Sequence, residues 1–392
     1  MSTNGASILI VGGGIAGLAA ASALAGKGFR SIVLEQASEL AEIGAGVQFG
    51  PNALKMLRKI GFSDSELDRL SIYPNSAVML DAVTGEEVVR ISFGDAFRGR
   101  FKQHYALVHR ADLHRSLLDA ALRSDQVEDH TNCKVIDISQ SENEVTAVTE
   151  TGESFKGPAL IGADGLWSTV RQCALGDGKP RVSGHVTYRG ALSIEEMPAE
   201  LRNNVMTLWA GDNVHAVHYP LRGGQMYNLA ATFQSKRFAA GWDSFGEPEE
   251  LFDRFTGKHP LLRSLLSKID TWRMWMLCDR EPAKNWTKRR ITLVGDAAHP
   301  MLQYIGQGAA MSLEDAVCLA DEISNTPTQF EEAALRYQQR RYLRTARAQI
   351  MARLYGEIYH ASDTTRELRN SLLSKMPTGS YDSMAWMYDY EG

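Results

Sequence analysis

Glycines that interrupt an apolar run near the start of the sequence limit the possible folds more than any other feature. Residues 8–11 read Ile-Leu-Ile-Val, glycines follow at Gly12, Gly14 and Gly17, and small apolar residues continue to position 24. This pattern predicts a strand, a tight turn and a helix. Gly12 suits the turn, Gly14 leaves the backbone open to a pyrophosphate at the helix start, and Gly17 lets the helix pack closely on the sheet. The stretch therefore predicts a dinucleotide site.

An acidic residue stands where such a site needs one. Glu35 follows the short apolar strand 31–34 and lies 18 residues beyond Gly17. A carboxylate there can accept both hydroxyls of an adenosine ribose and would repel a 2′-phosphate. A glycine-rich turn before an ordinary core helix is the alternative. The strand, the helix and the acidic residue together favour the dinucleotide site.

Length and charge narrow the class of protein. A chain of 392 residues exceeds one ordinary core, so two domains or one large interrupted domain are expected. The formal charge of −5 gives no positive field that would attract nucleic acid or an anionic membrane. Segment 6–26 is uncharged, but the glycines at its centre would break a membrane-spanning or signal helix. We therefore expect no nucleic-acid partner, no targeting segment and no transmembrane segment.

The cysteines are far apart in the sequence and form no C-x-x-C pair: Cys133, Cys173, Cys278 and Cys318. This spacing supports neither a zinc site nor a disulfide framework, so no metal is expected. Unpaired thiols fit a reducing compartment, and we expect a cytoplasmic protein.

Two later apolar strands also end on an acidic residue. The first reaches Asp164, and the second reaches Asp296 and is followed by His299-Pro300. A glycine-bearing loop at 306–308 then leads into a helix over 309–323. The free N–H groups of that helix start would face an electron-rich group.

Two segments leave alternatives open. The stretch 42–52 holds three glycines and a proline, which predicts an irregular loop. This loop either links a strand to a helix or lays its bare backbone against a flat ligand. Arg110 opens a helix, and a surface ion pair with Asp112 is its simplest local role.

The second half of the chain has a different hydrophobic pattern. Residues 182–286 form alternating strand patterns and carry most of the tryptophans, which predicts an antiparallel sheet forming the wall and roof of a pocket. The aromatic tail 386–390 packs either on its own domain or on a partner subunit. A long helix over 330–359 is expected to turn an apolar stripe inward, formed by Leu343, Ala346, Ile350, Leu354 and Ile358.

Three motifs, in this order, resemble the single-component, FAD-dependent aromatic hydroxylases, the family of p-hydroxybenzoate and salicylate hydroxylases. They are Gly12-x-Gly14-x-x-Gly17 with Glu35, Gly162-Ala-Asp164-Gly165, and Gly295-Asp296-Ala-Ala-His299-Pro300. The resemblance covers nearly the whole chain. It implies an α/β fold with a Rossmann-like FAD-binding domain of the p-hydroxybenzoate hydroxylase type, an interleaved mixed or antiparallel-sheet substrate domain, and a C-terminal helical segment.

The domain boundaries expected from this resemblance are discontinuous. The FAD-binding domain would comprise residues 1–75, 104–181 and 287–330. The substrate-binding sheet domain would comprise 76–103 and 182–286, and the C-terminal helix and tail would comprise 331–392.

The resemblance also implies roles for individual residues around FAD. Asp296 resembles the carboxylate that holds a ribityl hydroxyl, and Arg110 resembles an arginine that contacts the flavin, which reverses the local preference for an ion pair with Asp112. NADH would bind transiently, because no second nucleotide motif occurs. The full set of implied FAD contacts is Gly12, Gly14, Ala16, Gly17, Glu35, Gln36, Val47, Arg110, Val135, Asp164, Asp296, Gly308 and Ala309.

The reaction implied is attack by a flavin C4a-hydroperoxide on a phenol ring, with NADH and O2 as co-substrates. Further motifs, such as Tyr219-Pro-Leu-Arg-Gly-Gly and His299-Pro-Met-Leu-Gln303-Tyr304, are similar to those of members that hydroxylate a hydroxybenzoate para to its hydroxyl. Gln48 and Tyr304 stand where hydroxynicotinate hydroxylases tend to carry histidines, which favours a benzoate. A homodimer is expected as well.

His215 is the predicted general base. A phenol with a pKa near 10 is only about one part in a thousand ionised at neutral pH, and a placed base contributes roughly 10²- to 10⁴-fold. His215 shares a strand face with Tyr219, whereas His218 points the other way. Without the resemblance, a structural sheet histidine would be the preferred interpretation.

The remaining substrate contacts are less determined by the sequence. Gln303 would hold the phenolic oxygen or relay its proton, and an ordinary loop amide is the alternative. Tyr105 and Tyr219 would donate hydrogen bonds to the substrate carboxylate, and Gln48 would also contact the substrate, but no cationic partner for the carboxylate is evident. Competing functions are salicylate-type hydroxylation with decarboxylation and, without catalysis, an FAD-binding redox sensor.

Overall fold

The computed structural model describes residues 6–40, 46–237, 244–377 and 379–392. The strands are β1 (Ile8–Val11), β2 (Ser31–Leu34), β3 (Gly46–Phe49), β4 (Ser71–Ile72), β5 (Ser76–Asp81), β6 (Glu87–Ser92), β7 (Ala106–His109), β8 (Val127–His130), β9 (Val135–Gln140), β10 (Val145–Thr149), β11 (Ser154–Gly157), β12 (Leu160–Gly162), β13 (Arg181–Ser193), β14 (Val205–Gly211), β15 (Val214–Leu221), β16 (Met226–Gln234), β17 (Ser244–Phe245), β18 (Arg273–Asp279), β19 (Thr287–Lys288) and β20 (Ile291–Leu293). The helices are α1 (Ile15–Ala25), α2 (Pro51–Lys59), α3 (Asp64–Leu70), α4 (Asp95–Phe101), α5 (Arg110–Leu122), α6 (Thr169–Ala174), α7 (Pro248–Arg254), α8 (Pro260–Leu266), α9 (Gly308–Asn325), α10 (Phe330–Tyr359), α11 (Asp363–Leu373) and α12 (Asp382–Tyr388).

A mostly parallel sheet forms the nucleotide half of the molecule. Its strand order is β19-β20-β12-β1-β2-β8, and β1 pairs in parallel with β2 and β12. β1 is buried along its whole length, as expected for a central parallel strand covered on both faces. α1 packs between α9 and α5 and is buried nearly all round, because its alanines and glycine allow close approach.

A second sheet supplies a broad surface beside the first. Its order is β17-β18-β13-β16-β15-β14-β5-β6, antiparallel except where β14 runs parallel to β5. The long strand β13 pairs with both β16 and β18. Together with the parallel sheet and the terminal helices, this arrangement confirms the α/β fold expected from the sequence. The domain boundaries given above remain a prediction.

The stretch expected to be an irregular loop contains a short strand. Residues Gly46–Phe49 form β3, which pairs antiparallel with β7, so the prediction was wrong for that part. The glycine flanks let β3 lie close to its neighbours, because a Cβ on Gly46 would be 2.3 Å from the Tyr219 ring. Residues 42–45 of the same stretch lie outside the described residues.

The long C-terminal helix has its predicted bounds, but the face it buries was predicted wrongly. Leu343, Ile350 and Leu354 are 67%, 54% and 49% exposed, whereas Arg341 is completely buried. The Arg341 guanidinium binds Glu314 and Asp315 of α9, at 2.5 and 2.7 Å. These buried ion pairs orient α10 with arginine toward α9, which leaves the apolar stripe outside.

The aromatic tail packs on its own domain. Tyr388 is buried against Phe97, Phe101 and Tyr105 of the same chain. Asp389 pairs with Arg100 at 2.7 Å, which fixes the end of the tail. Among the described residues, no helix combines the length and apolar character needed to cross a bilayer.

Candidate active site

The glycine-rich turn has the close packing that its sequence predicts. Gly12 adopts φ +107°, and a Cβ there would lie 2.4 Å from the carbonyl oxygen of Ala163. A Cβ on Gly17 would lie 1.9 Å from the Gly12 oxygen, so α1 contacts the turn through bare backbone. Only glycine permits both features. The turn therefore fixes the start of α1 relative to β1 and β12.

Gly14 differs from Gly12 and Gly17 because no described atom lies where its side chain would point. A Cβ on Gly14 meets no atom within 4 Å, and this residue caps α1 without a side-chain hydrogen bond. Within the described ranges, no side chain caps the first N–H groups of α1, and these groups carry the positive end of the helix dipole. Ala16 lies close by, 2.9 Å from where a Cβ on Gly295 would be. This is the geometry of a pyrophosphate cradle.

Glu35 is fixed at the end of β2 by backbone donors. Its Oε2 accepts from Gly13 N–H at 2.7 Å, and its Oε1 accepts from Ala37 N–H at 2.8 Å. Each oxygen keeps a lone pair for another donor. The carboxylate is thus oriented beside the turn, while the neighbouring Gln36 is exposed.

The two strand-end carboxylates have different surroundings. Asp164 accepts from the Ser168 hydroxyl at 2.5 Å and from Val170 N–H at 3.0 Å, so it supports the first turn of α6, whose N-cap is Ser168. Asp296 is exposed and forms no hydrogen bond among the described residues, although the surrounding protein desolvates it and raises its pKa. An exposed carboxylate that is nevertheless desolvated lies in a cleft.

The start of α9 lies beside Asp296. A Cβ on Gly308 would be 3.8 Å from an Asp296 oxygen, and the partly exposed Ala309 follows it in the first turn of α9. Asp315, one layer deeper, accepts from Gly295 N–H at 2.9 Å and from His299 at 2.5 Å. Despite burial, the charges of His299 and Arg341 lower the pKa of Asp315 to about 2. The buried ionic group formed by Asp315, His299 and Arg341 therefore supports the cleft.

Arg110 begins α5 and joins the cleft to the second sheet. Its charge lowers the pKa of both Asp296 and Arg189. Asp112 is bound by Arg222, through hydrogen bonds of 2.9 and 2.7 Å. Val47 on β3 is partly buried, and Val135 at the start of β9 is fully buried.

The second sheet presents one face of β13, β15 and β16 toward this cleft. His215 pairs with Thr232 across the strands, and Thr232 pairs with Thr187, so these three side chains share a face. Tyr219 lies on that face because it follows His215 by four residues. His218 is on the opposite face, fully buried, and neither ring nitrogen has a partner.

His215 is held by a second histidine that the sequence reasoning missed. Its Nδ1 lies 2.7 Å from Nε2 of His360, at the end of α10, and Tyr304 packs edge-on against its ring. Burial lowers the pKa of His215 well below its ordinary value, and the nearby His360 and His185 lower it further. Only tertiary structure brings His360 here, 145 residues along the chain.

Two tyrosines and a glutamine form the other end of this face. The Tyr105 hydroxyl donates to Gln48 Oε1 at 2.8 Å. Burial raises the pKa of Tyr219 to about 12, so its hydroxyl stays protonated. Asn228, opposite Tyr219, accepts from Gly46 N–H at 2.9 Å.

Gln303 is fully engaged by neighbouring side chains. Its Nε2 donates to Thr187 at 2.6 Å and to Thr232 at 3.2 Å, and its Oε1 accepts from Arg189 at 2.5 Å. Because both amide hydrogens are taken, a lone pair on Oε1 is what remains for a phenolic O–H. Arg189, on β13, was not singled out from the sequence, although alternation on that strand places it on the same face as Thr187.

Comparison with known proteins decides the family. A family model described as an FAD binding domain matches residues 5–351. The chain is 45% identical over 385 residues to 3-hydroxybenzoate 6-hydroxylase of Klebsiella oxytoca, covering 98% of this chain and 96% of that protein. It is 43% identical over 389 residues to 3-hydroxybenzoate 6-hydroxylase 1 of Aquipseudomonas alcaligenes, covering 98% of each.

This chain belongs to the FAD-binding family. It is an FAD-dependent aromatic monooxygenase, as the resemblance predicted, and FAD is its cofactor. Among solved structures, Klebsiella pneumoniae HpxO complexed with FAD and uric acid superposes with a TM-score of 0.85 at 26% identity, covering 98% of this chain and 96% of that one. A salicylate hydroxylase substrate complex has a TM-score of 0.82 at 23% identity, covering 99% and 96%, and shows the same fold.

The observed cleft fits FAD on its own geometry. The space beyond Gly14, the uncapped start of α1 and the oriented Glu35 suit a dinucleotide, and the exposed but desolvated Asp296 suits a buried hydroxyl. No cluster of ligating side chains that could hold a metal ion is found in the part of the chain that the structure describes.

Proposed function

We propose that this enzyme hydroxylates 3-hydroxybenzoate para to its hydroxyl group and forms gentisate (2,5-dihydroxybenzoate), with NADH and O2 as co-substrates. Relatives that are 43–45% identical over nearly the whole chain are 3-hydroxybenzoate 6-hydroxylases, which supports this substrate. The observation that carries the proposal is the polar face formed by His215, Gln303 and Tyr219 beside the FAD cleft. A face of this kind suits an aromatic ring with one ionisable hydroxyl.

His215 is the proton acceptor in this proposal. At neutral pH its imidazole is uncharged, because burial lowers its pKa, so a lone pair is free to accept the phenolic proton. A histidine with so low a pKa does not store a proton well. The proton must therefore move onward while the phenolate is held by hydrogen bonds.

His360 provides that onward step and fixes the tautomer. If His215 donates its Nδ1–H to His360 Nε2, then His215 Nε2 is the basic atom. Proton uptake at Nε2 is balanced by transfer of the Nδ1 proton to His360, and because burial lowers the pKa of His360 to about 3, His360 must in turn release a proton. His185 packs 4.7 Å from His360, measured between ring centroids, and it is partly exposed, so it opens a route to solvent.

Reduced FAD, reacting with O2, supplies the electrophilic oxygen when it is bound. The residues that would hold FAD are Gly14 and the start of α1 at the pyrophosphate, Glu35 at the ribose, and Asp296 and Gly308 near the flavin. Arg110 adds positive charge between the cleft and the sheet. Asp164 is proposed to contribute by shaping the turn that leads into α6. The buried Val135 is proposed to lie beside the adenine.

NADH is proposed to dock transiently, since the sequence has one dinucleotide fingerprint and Glu35 belongs to FAD. A reducing cytoplasmic location is also proposed, and the four free cysteines support it. We further propose a homodimer in which the exposed apolar side of α10 is covered. Size-exclusion chromatography with light scattering should then report twice the chain mass, and Leu343→Asp together with Ile350→Asp should give monomers.

One assay tests the function. The purified holoenzyme is given NADH, O2 and each of several aromatic acids, namely 3-hydroxybenzoate, salicylate, 4-hydroxybenzoate and 6-hydroxynicotinate. The proposal expects the highest NADH oxidation with 3-hydroxybenzoate and equimolar gentisate. Carbon dioxide released from salicylate would instead indicate decarboxylating hydroxylation. Bound FAD without ligand-stimulated NADH oxidation would indicate a redox sensor.

A further inference from the structure

Arg189 places a cation in the pocket, on the face that also carries Thr187. Its Nη2 donates a hydrogen bond to Gln303, and its guanidinium stacks over Trp275, 3.8 Å from the ring centroid. Within the described ranges, no carboxylate forms an ion pair with it. The titratable groups that act on Arg189 are the Tyr219 hydroxyl, which stays protonated, and the positive Arg110.

The guanidinium is also poorly solvated. Its Nε is buried without a hydrogen-bond partner, and desolvation lowers the pKa of Arg189 to about 9. A buried cation without a counterion costs folding free energy unless something compensates it. A site that keeps such a cation beside Tyr219 and Gln303 is therefore completed by an anionic ligand.

The orientation of Arg189 specifies how such a ligand approaches. Trp275 covers one face of the guanidinium, so the remaining hydrogen-bonding route is along its edge. One donor on that edge, Nη2, already binds Gln303 Oε1, which shows that this edge accepts a carbonyl or carboxylate oxygen. Planar carboxylates match an arginine edge in bidentate geometry, which a lysine ammonium cannot reproduce.

We propose that Arg189 binds the carboxylate of the aromatic substrate and so orients the ring with its hydroxyl toward His215. This inference deepens the proposed function and rests on its substrate class. The sheet register supports a separation of this kind between the cation and the base. One row of paired residues joins Thr187, Thr232 and His215. The next row on the same face joins Arg189, Ala230 and Val217. The cation and the base therefore lie two strands apart on one face, and Gln303 bonds both to Arg189 and to Thr232, the cross-strand neighbour of His215.

The test separates charge recognition from structure by using matched ligands. Arg189→Met and Arg189→Lys holoenzymes are titrated with 3-hydroxybenzoate, with neutral 3-hydroxybenzamide and with benzoate, and binding is followed by the flavin absorbance change. Arg273→Met is the control, because Arg273 faces Arg189 on the neighbouring strand but stacks over Phe245. All proteins are first compared for FAD content and thermal midpoint.

Arg189→Met should weaken 3-hydroxybenzoate and benzoate by roughly 10²-fold or more and change the 3-hydroxybenzamide Kd less than about threefold. Arg189→Lys should recover part of the loss, and Arg273→Met should resemble the unmodified enzyme. Equal weakening of acid and amide, or no weakening of either, would overturn the inference. Benzoate binding that depends on Arg189, without any gentisate from 3-hydroxybenzoate, would uphold it while refuting the proposed function.

Discussion

The nucleotide cleft and the polar face that we propose binds the substrate ring, called the ring-binding face below, are built in opposite ways. The cleft depends on backbone: Gly12 and Gly17 permit contacts that no side chain would allow, and Gly14 leaves open space. The ring-binding face depends on side chains from separate elements, namely His215 on β15, Arg189 on β13, Gln303 before α9 and His360 after α10. Backbone sites should therefore fail completely when altered, whereas the side-chain site should fail in graded, separable ways.

The largest effect is expected from the glycines, and it should differ between positions. Gly17→Val should prevent folding, because its Cβ would overlap the Gly12 carbonyl. Gly14→Leu should instead give a folded but colourless protein, because its side chain enters the space that FAD needs. Circular dichroism measures folding, and flavin absorbance per chain measures FAD. A folded Gly14→Leu protein with one FAD per chain would refute the cradle.

The next effect concerns the base. His215→Ala should keep FAD, because His215 lies on the second sheet, and should lower hydroxylation by roughly 10²-fold or more. NADH oxidation should then exceed the gentisate formed, with hydrogen peroxide making up the difference. The ultraviolet spectrum of bound 3-hydroxybenzoate should also shift from phenolate toward phenol. Unchanged coupling and an unchanged spectrum would move the role of the base to another residue, with Tyr219 first to be tested.

A paired substitution sharpens this result. His360→Leu removes the partner of His215 Nδ1, so it should slow hydroxylation by a smaller factor and leave the substrate Kd unchanged. Tyr359→Phe is the matched control, because Tyr359 packs against the same imidazole but its hydroxyl is not the partner of Nδ1. Similar losses in both variants would indicate that His360 only fills space.

As the pH falls, the free energy of unfolding should decrease over one pH range because of His218 in the second sheet and over a lower range because of Asp315 beneath the nucleotide cleft. Burial lowers the pKa of His218 to about 3, so below about pH 6.5 the unfolded chain binds a proton that the folded chain excludes. Each such histidine costs about 1.4 kcal/mol of stability per pH unit as the pH falls from 6.5 toward the folded value. Asp315 has a folded pKa of about 2, so its stabilisation is present above pH 3.8 and is lost as the pH falls toward 2.

This difference is measurable with His218→Leu. At pH 5 the variant should be more stable than the unmodified protein by up to about 2 kcal/mol, because 1.5 pH units of proton exclusion are removed. At pH 7.5 the two should differ little. The measurement is urea unfolding of both proteins at the two pH values. An identical pH dependence would show that His218 does not carry this cost.

The smallest effect is expected at Glu35, whose replacement should weaken FAD binding but leave the preference between NADH and NADPH unchanged. Glu35→Gln should weaken FAD binding by roughly tenfold, because a charged acceptor beside the ribose becomes neutral. The ratio of NADH to NADPH activity should stay constant once FAD is saturating. Kinetic assays with added FAD measure that ratio. A switch in preference would show that Glu35 serves the nicotinamide cofactor.

The helices α1 and α10 show how far sequence reasoning reaches. The bounds of α10 were predicted, yet its buried face was not, because Glu314 and Asp315 on another helix bind Arg341 and bring it inside. For α1 the same kind of reasoning succeeds, since glycine and alanine spacing leaves few alternatives. The aromatic tail is a third case: the sequence left two partners open, and Tyr388 packs on its own chain.

The sequence by itself determined the FAD cleft and the family, because glycine positions and strand-end carboxylates act through local backbone geometry. It also placed His215 and Tyr219 on one strand face, because strand alternation is local. Only the tertiary structure joined His215 to His360 and Arg189 to Gln303, and only it showed that no carboxylate of the described residues pairs with Arg189. Burial, counterions and hydrogen bonds between distant segments depend on how the sheets and helices pack, and no spacing along the chain encodes them.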